Sequence, residues 1–332
     1  MPTNQGPGQR AEIDIGACCD ENYVPFASVM MISALENAHP DYQLHFHFVA
    51  DKVPEDVLAE MRALVEKRGG RLSVYPADNL RFDGLPTLRF GSSVYQRILL
   101  ADYLPPDIHR VIYIDSDTLV IGDVSELWEL DLDGKPVAAV EDLSRSACES
   151  VGVSRQEYFN SGVLVMDLEQ WRAEDIHGTV ARYAGENAHR FQYVDQCSLN
   201  AILHTRWKRL SPAWNQQANI YKILRRYSEG SAYTVDELRE GVGRPKIVHF
   251  TGKKKPWLHY CFHPFKPLYR DFLRQTPWGS RYPVPVSRRE KLRYVLALRQ
   301  HYKWLSRSTK IYLYRNLTKQ PTDNTLHGPK AR

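Results

Sequence analysis

The sequence predicts an α/β protein: a doubly wound, mostly parallel sheet flanked by helices, with a basic helical C-terminal extension. Three observations carry that expectation. Strand-like and helix-like segments alternate through the first half with short connections, the pattern of a sheet built with right-handed crossovers. Residues 111–114 are an unbroken β-branched and aromatic run, as expected of a strand buried on both faces. The charge is also divided along the chain. From residue 285 onward twelve Lys/Arg face only Glu290 and Asp323, a net +10, which leaves −5 on residues 1–284 of a chain whose total is +5.

In order, "AEIDIGACC" (11–19) reads as a strand, residues 26–38 as a helix, and "YQLHFHFVA" (42–50) as a second strand. Residues 54–67 read as a helix with Pro54 in its first turn, where a missing N–H costs nothing. "RLSVYPA" (71–77) is a third strand. "SSVYQRILLADYLP" (92–105) follows a serine cap and sets Ile98, Leu99, Ala101 and Leu104 on one helical face. Residues 111–114 form a central buried strand; further strands fall at 136–141, 161–168 and 246–250, and helices around 195–203 and 216–226. Residues 1–11 read as a flexible leader, 12–260 as the main domain, 261–286 as a loop-dominated connection rich in proline and aromatics, 287–319 as a basic amphipathic helical extension, and 320–332 as a flexible tail.

Composition excludes several classes. The chain lacks any apolar run of 18 residues, so a spanning helix is not expected, and its opening residues lack the basic and apolar regions of a secretory signal. Five cysteines, an odd number with no C-x-x-C spacing, argue against a disulfide framework or a zinc site and for a reducing cytoplasm.

The chemistry-bearing motif is "VIYIDSDTLV" (111–120), an apolar strand that ends in two carboxylates. In open parallel sheets ligands bind beyond the carboxyl ends of the strands, where Asp115 and Asp117 fall. Extended residues two apart point the same way, so both acids can reach one cation while Ser116 points off. Two anionic oxygens suit a hard divalent metal that keeps positions open for phosphate oxygens. The plainer reading, in which Asp117 caps the following helix, is weakened by Asp123, which is better placed for that task. A haloacid-dehalogenase-like phosphotransferase using Asp115 as nucleophile also places a D-x-D after an apolar strand, but Thr118 comes one residue early for that motif and earlier strand-helix units precede it. A second cluster, "KIVHFTGKKKPW" (246–257), offers His249 at a strand end, Gly252 for close backbone approach, and Lys255 for neutralising a diphosphate.

With these stretches in view, the chain resembles glycosyltransferase family 8, retaining nucleotide-sugar transferases of GT-A fold that include bacterial lipopolysaccharide core galactosyl- and glucosyltransferases. The resemblance covers roughly residues 12–260 and rests on "ACCDENYVPF", "SVYQRILLADYLP", "VIYIDSDTLV", "YFNSGVLVMDLEQWR" with "YVDQCSLN", and "HFTGKKKPW", in that order. It implies metal ligation by Asp115, Asp117 and His249, normally of Mn2+, with Mg2+ as the alternative. It implies a UDP-sugar donor held by Cys18, Asp20 and Asn22 at the base and ribose and by Gly252 and Lys255 at the diphosphate, with Arg97, Asp142, Asn160, Asp195 and Gln196 around the sugar and Ser116 as a further donor-binding residue. Glu141, beside Asp142, is the alternative acid at that position. Asp195 and Gln196 are the expected catalytic residues, either through a covalent sugar intermediate or by holding the sugar during front-face attack. Closure by loops near "HFTGKKK" is expected to keep water from the donor.

Residues 277–304 also resemble the C-terminal extension of lipopolysaccharide core glycosyltransferases. Leu292, Val295, Leu296 and Arg299 share a helical face, widened by Leu298, Tyr302 and Leu305, with basic residues over much of the remainder. That composition suits an anionic membrane surface. The expected partners are therefore a UDP-hexose, a saccharide or glycolipid acceptor, and the cytoplasmic face of a membrane reached through residues 287–319. Nucleic-acid binding through the basic tail is the competing reading; no nucleic-acid motif supports it and the acidic body opposes it.

Overall fold

A computed structural model describes residues 10–78, 92–144, 147–225, 231–258, 260–282 and 301–318, together with Arg288, Leu292, Val295, Leu296 and Arg299. The expected leader through residue 9, the tail 320–332 and the side chains of the expected serine cap lie outside the described residues.

The first units are β1 (Ala11–Asp20), α1 (Val24–Glu36), β2 (Tyr42–Asp51), α2 (Glu55–Glu66) and β3 (Arg71–Pro76). Pro54 stands outside α2 at its N-cap with extended backbone, not in the first turn; it is Pro25 that occupies a first turn, in α1. The segment expected to be one helix from residue 92 is instead a 3-10 stretch, Ser92–Leu99, that tightens into the short α3 (Leu100–Tyr103). β4 (Arg110–Ile114) follows, then β5 (Thr118–Val120), α4 (Ser125–Trp128), β6 (Val137–Glu141) and β7 (Phe159–Asp167). The N-cap of α4 is Val124, with no side-chain cap, so Asp123 is not the cap expected from the sequence; one residue earlier, its Oδ1 accepts the Ser125 N–H at 3.0 Å.

Seven strands share one sheet in the order β3-β2-β1-β4-β7-β6 and then β8 (Trp207–Arg209). All neighbours run parallel except β7, which is antiparallel to both β4 and β6. Because β7 runs backwards, its first residues lie at the carboxyl edge of β4: Ile114 pairs with Val163, and the Asp115 N–H donates to Gly162 O at 2.8 Å. Two apolar layers cover the sheet. One joins Ile13, Phe46 and Ile112 to α1 and α2. The other joins Tyr95, Val111 and Leu164 to α5 (Leu168–Ala173), α6 (Ile176–Asn187) and α7 (Val194–Leu203).

A second, three-stranded sheet completes the carboxyl edge. β10 (Ile247–His249) pairs antiparallel with β5, setting His249 opposite Thr118, and parallel with β9 (Gln216–Gln217). Residues 216–226 are thus not one helix: β9 is followed by a shorter α8 (Ile220–Arg225), since Gln216 and Gln217 are drawn into backbone pairing with β10. Then comes α9 (Val235–Gly243), opened by a capping box between Thr234 and Glu237.

The stretch expected to be loop-dominated holds α10 (Lys266–Arg274), which buries Leu268, Tyr269, Phe272 and Leu273. Trp257 stacks on Phe26 of α1, centroids 3.5 Å apart and planes 6° from parallel. Leu305, expected on the exposed face of the extension, is buried in the core with Leu313 of the C-terminal helix Arg307–Thr318. By contrast Leu292, Val295 and Leu296 are helical and exposed.

Candidate active site

β4 stops at Ile114, and Asp115 turns its carboxylate into a group of charges. Its Oδ1 accepts the Tyr113 hydroxyl at 2.7 Å and lies 3.0 Å from Arg97 Nη1. Asp117 follows on the turn into β5, with Oδ1 3.2 Å from His249 Nε2 and Oδ2 paired with the Lys255 ammonium. His249 Nε2 is also 3.7 Å from Asp115 Oδ2. One donor atom from each of Asp115, Asp117 and His249 falls within 4.8 Å of the others. Burial opposes the charge on Asp117, but Lys255 and His249 outweigh it and hold the carboxyl well below its usual range. Lys255 is itself steadied by Phe250 O at 2.9 Å.

His249 is aimed by an amide relay. Its Nδ1 lies 2.9 Å from Asn215 Oδ1, while Asn215 Nδ2 donates to Asn160 Oδ1 at 2.8 Å, which fixes the amide's orientation. Asn160 Nδ2 in turn donates to Asp142 Oδ2 and Gln196 Oε1, both at 3.1 Å. Gln196 Nε2 closes the ring on Asp142 Oδ2 at 2.8 Å. Of the two acids left open at this position, Asp142 joins this network, whereas Glu141 is fully buried and accepts the Ala232 N–H at 2.8 Å.

Arg97 ties the halves together. Its Nε is 3.0 Å from Asp195 Oδ2, its Nη1 meets Asp115 and donates to Ser161 O at 2.9 Å, and its cation stands 4.7 Å from the centre of the Tyr113 ring. Burial disfavours the guanidinium, yet Asp115, Tyr113 and Asp195 more than compensate and it stays charged. Asp195, in the first turn of α7, is pushed up by burial and accepts Ser161 Oγ at 3.2 Å.

Around this centre, Cys18 is buried within the electrostatic reach of Arg97 and Asp115, its thiol pushed up by desolvation. Ser116 is buried beside the Cys19 thiol. Asp20 takes the Tyr23 N–H at 3.2 Å at the end of β1, and Asn22 is exposed in the short 3-10 turn that follows. Gly252 sits exposed on the loop after β10 with φ +79°, a left-handed conformation that favours glycine. The structure therefore brings together Arg97, Asp115, Asp117, Asp142, Asn160, Asp195, Gln196, His249 and Lys255, and no described bond joins Cys18, Asp20, Asn22, Ser116 or Gly252 to that cluster.

Ser161, which joins Arg97, Asp195 and Gln196, was not foreseen from the sequence, nor were Asn215 and Gly162. Asn215 lay within "PAWNQQ", beside the segment read as helix. Gly162 lay inside a quoted stretch, but its role is spatial: a Cβ there would stand 2.2 Å from His249 Cε1 and 2.8 Å from Asp115 Oδ2. The space beside these side chains is kept open by the absence of that one atom. Two carboxylates, an imidazole aimed by an amide, and this cradle fit a divalent cation.

The mixed sheet with its flanking helices has the GT-A fold, and comparison with known proteins gives the family. Residues 14–261 match glycosyl transferase family 8, and the chain belongs to that family as a hexosyltransferase. It is 30% identical over 272 residues to General stress protein A of Bacillus subtilis (strain 168), spanning 80% of this chain and 94% of that protein. It is 26% identical over 273 residues to the lipopolysaccharide 1,2-glucosyltransferase of Escherichia coli (strain K12), 80% of this chain and 78% of that one. Among solved structures it is similar to the galactosyltransferase LgtC in complex with donor and acceptor sugar analogues, with TM-score 0.71, 26% identity, and coverage of 82% and 98% of the two chains.

Proposed function

We propose that this protein transfers glucose or galactose from a UDP-hexose to a saccharide acceptor of lipopolysaccharide-core type, with retention of configuration. The observation that carries this reading is the convergence of Asp115, Asp117 and His249 beside two cations, Arg97 and Lys255. Asp115, Asp117 and His249 would hold a divalent cation, Mn2+ or Mg2+. When bound there, the cation supplies electrostatic stabilisation to the diphosphate as it leaves.

The chain's own residues do the rest. Lys255 moves its ammonium from Asp117 to a diphosphate oxygen as the donor enters, and Gly252 gives the following loop its turn over the phosphates. Cys18, Asp20 and Asn22 line the base and ribose, and Ser116 stands between the two ligands. Gln196 is poorly suited to attack, because its carbonyl already accepts from Asn160 and the Ser161 N–H and its amide donates to Asp142. Asp195 is neutralised by Arg97, which leaves it a sugar-hydroxyl acceptor, not a nucleophile. Front-face attack follows: the acceptor oxygen bonds to the anomeric carbon, the bond from that carbon to the phosphate oxygen breaks, and the acceptor's proton passes to that departing oxygen. The phosphotransferase alternative needs Asp115 as a free nucleophile, and Oδ1 of that residue is held by Tyr113 and Arg97.

Leu292, Val295, Leu296, Tyr302 and Ile311 are exposed, alongside exposed Arg288, Arg299 and Lys303. This composition supports docking of the extension on an anionic membrane that presents a glycolipid acceptor. Among the described residues no helix is long and apolar enough to cross a membrane.

The test is a panel of UDP-sugars with Mn2+ or Mg2+, scored for hydrolysis and for transfer to core oligosaccharide, with and without chelator. UDP-glucose or UDP-galactose turnover that chelator abolishes supports the reading. Turnover indifferent to chelator, or a phosphorylated Asp115 trapped from a phosphate ester, overturns it.

A further inference from the structure

A second cluster of metal-ligating side chains lies on the same sheet, outside the candidate active site. β1 and β2 pair in parallel with Asp14 opposite His45, so Asp14, His45 and His47 project from one face. His47 Nε2 is 2.8 Å from Asp14 Oδ1, and His45 Nδ1 is 3.5 Å from the same oxygen. The donor atoms of all three fall within 4.8 Å of one another. Glu12 Oε2 stands 3.8 Å from His45 Nδ1, while the other oxygen of Glu12 is held by Arg71. A tetrahedral zinc site with bonds of about 2.0–2.2 Å sets its donors roughly 3.3–3.5 Å apart. The 3.5 Å separation already fits, and the 2.8 Å pair must open by about 0.5–0.7 Å.

The ring nitrogens that face away from Asp14 are also provided for. His45 Nε2 lies 2.8 Å from Ser73 Oγ, and His47 Nδ1 lies 3.0 Å from the Tyr75 hydroxyl, both on β3. A histidine that ligates a metal gives its other N–H to such an outer partner, which fixes tautomer and ring orientation. A hydroxyl can donate or accept, so Ser73 and Tyr75 serve the rings both with a metal and without one. Entry is open on the Glu12 side, whose side chain is 35% exposed, against 0% for His47.

We propose that Asp14, His45 and His47, with Glu12 or water in the fourth position, form a second metal site for zinc or a similar borderline divalent ion. Two imidazoles select such a cation over magnesium. The site lies toward the amino end of β1 and β2, away from Asp115, and its occupancy pins three adjacent strands together.

The experiment measures Zn2+ bound by the full-length protein in equilibrium dialysis, with no sugar donor present. It compares wild type, Asp117→Asn, Asp14→Asn and a His45→Gln/His47→Gln double variant. The expected result is one zinc equivalent that survives Asp117→Asn and binds at least tenfold more weakly in Asp14→Asn and in the double variant. Tyr75→Phe, which removes an outer partner, should weaken it by roughly tenfold. If the double variant fails to fold, Asp14→Asn and Tyr75→Phe carry the test, each keeping the native shape. Zinc affinity unchanged in both, or no equivalent surviving Asp117→Asn, overturns the proposal.

Discussion

The two carboxylate-histidine clusters draw on the same residue types in opposite proportions, one Asp with two His against two Asp with one His, and assemble them by opposite routes. Asp14, His45 and His47 come from two neighbouring strands within one stretch of chain, whereas Asp115, Asp117 and His249 are gathered from β4, the turn beyond it and β10. Their surroundings differ more than their ligands. The first is backed by neutral hydroxyls, Ser73 and Tyr75; the second by Arg97, Lys255 and a chain of amides. A cluster whose neighbouring cation, Arg71, is held on Glu12 at its edge is suited to a metal alone. One with two cations at its margin is suited to a metal together with a multiply charged anion. Ligand identity sets which ion can bind, and the neighbours decide whether anything reacts there.

The comparison breaks first at Asp117. Asp117→Asn should lower hexosyl transfer by on the order of a thousandfold or more, the rate equivalent of several kcal/mol of lost charge stabilisation, measured as kcat/KM with UDP-hexose. Retention of more than a tenth of the activity would put the reaction elsewhere. Gly162→Ala comes next, because the new Cβ must displace His249 or Asp115; a loss of roughly a hundredfold is expected in the same assay. Asn215→Ala leaves the ligands in place but frees the imidazole, so metal affinity should fall by about 10–100-fold and excess metal should restore kcat. A defect that no metal concentration repairs would contradict the relay.

A histidine outside both clusters sharpens the contrast further. His263 is buried among Tyr221, Phe250 and Phe265, accepts the Phe265 N–H, and is pulled from 6.5 to about 3, first by desolvation and then by His301. Its folded value lies below its unfolded one, so between about pH 6.5 and 3 the unfolded chain binds the extra proton. Stability is then full above pH 6.5 and declines as pH falls through that window. Denaturant midpoints at pH 7 and pH 5 should separate by less in His263→Gln than in wild type. The smallest effect belongs to the His45→Gln/His47→Gln variant, whose hexosyl transfer should stay within about twofold of wild type. A larger loss would join the two clusters functionally.

Much of this was legible in the chain itself. The apolar run into Asp115 and Asp117 and the His249–Lys255 stretch announced their chemistry because each concentrates charge at a strand end. The reversal of β7 was not legible, since a strand buried on both faces reads the same in either direction. That reversal is why Asn160, Ser161 and Gly162 enter the site. α10 was hidden by Pro264 and Pro267, although Pro267 falls in its first turn, where proline is tolerated. Asn215 lay beside a strand of two residues, too short for any periodicity. The "HFH" of β2 was visible throughout, and only the parallel register with β1 shows that Asp14 stands across from it.

The antiparallel pairing of β5 with β10 also bears on how the protein is made. His249 lies 132 residues after Asp117, and a one-residue slip in that pairing would turn its ring to the opposite face of the small sheet. A nascent chain that has exposed both aspartates still lacks His249, Lys255 and the Asn215 relay. The ribosome must therefore release most of the protein before the cluster can close.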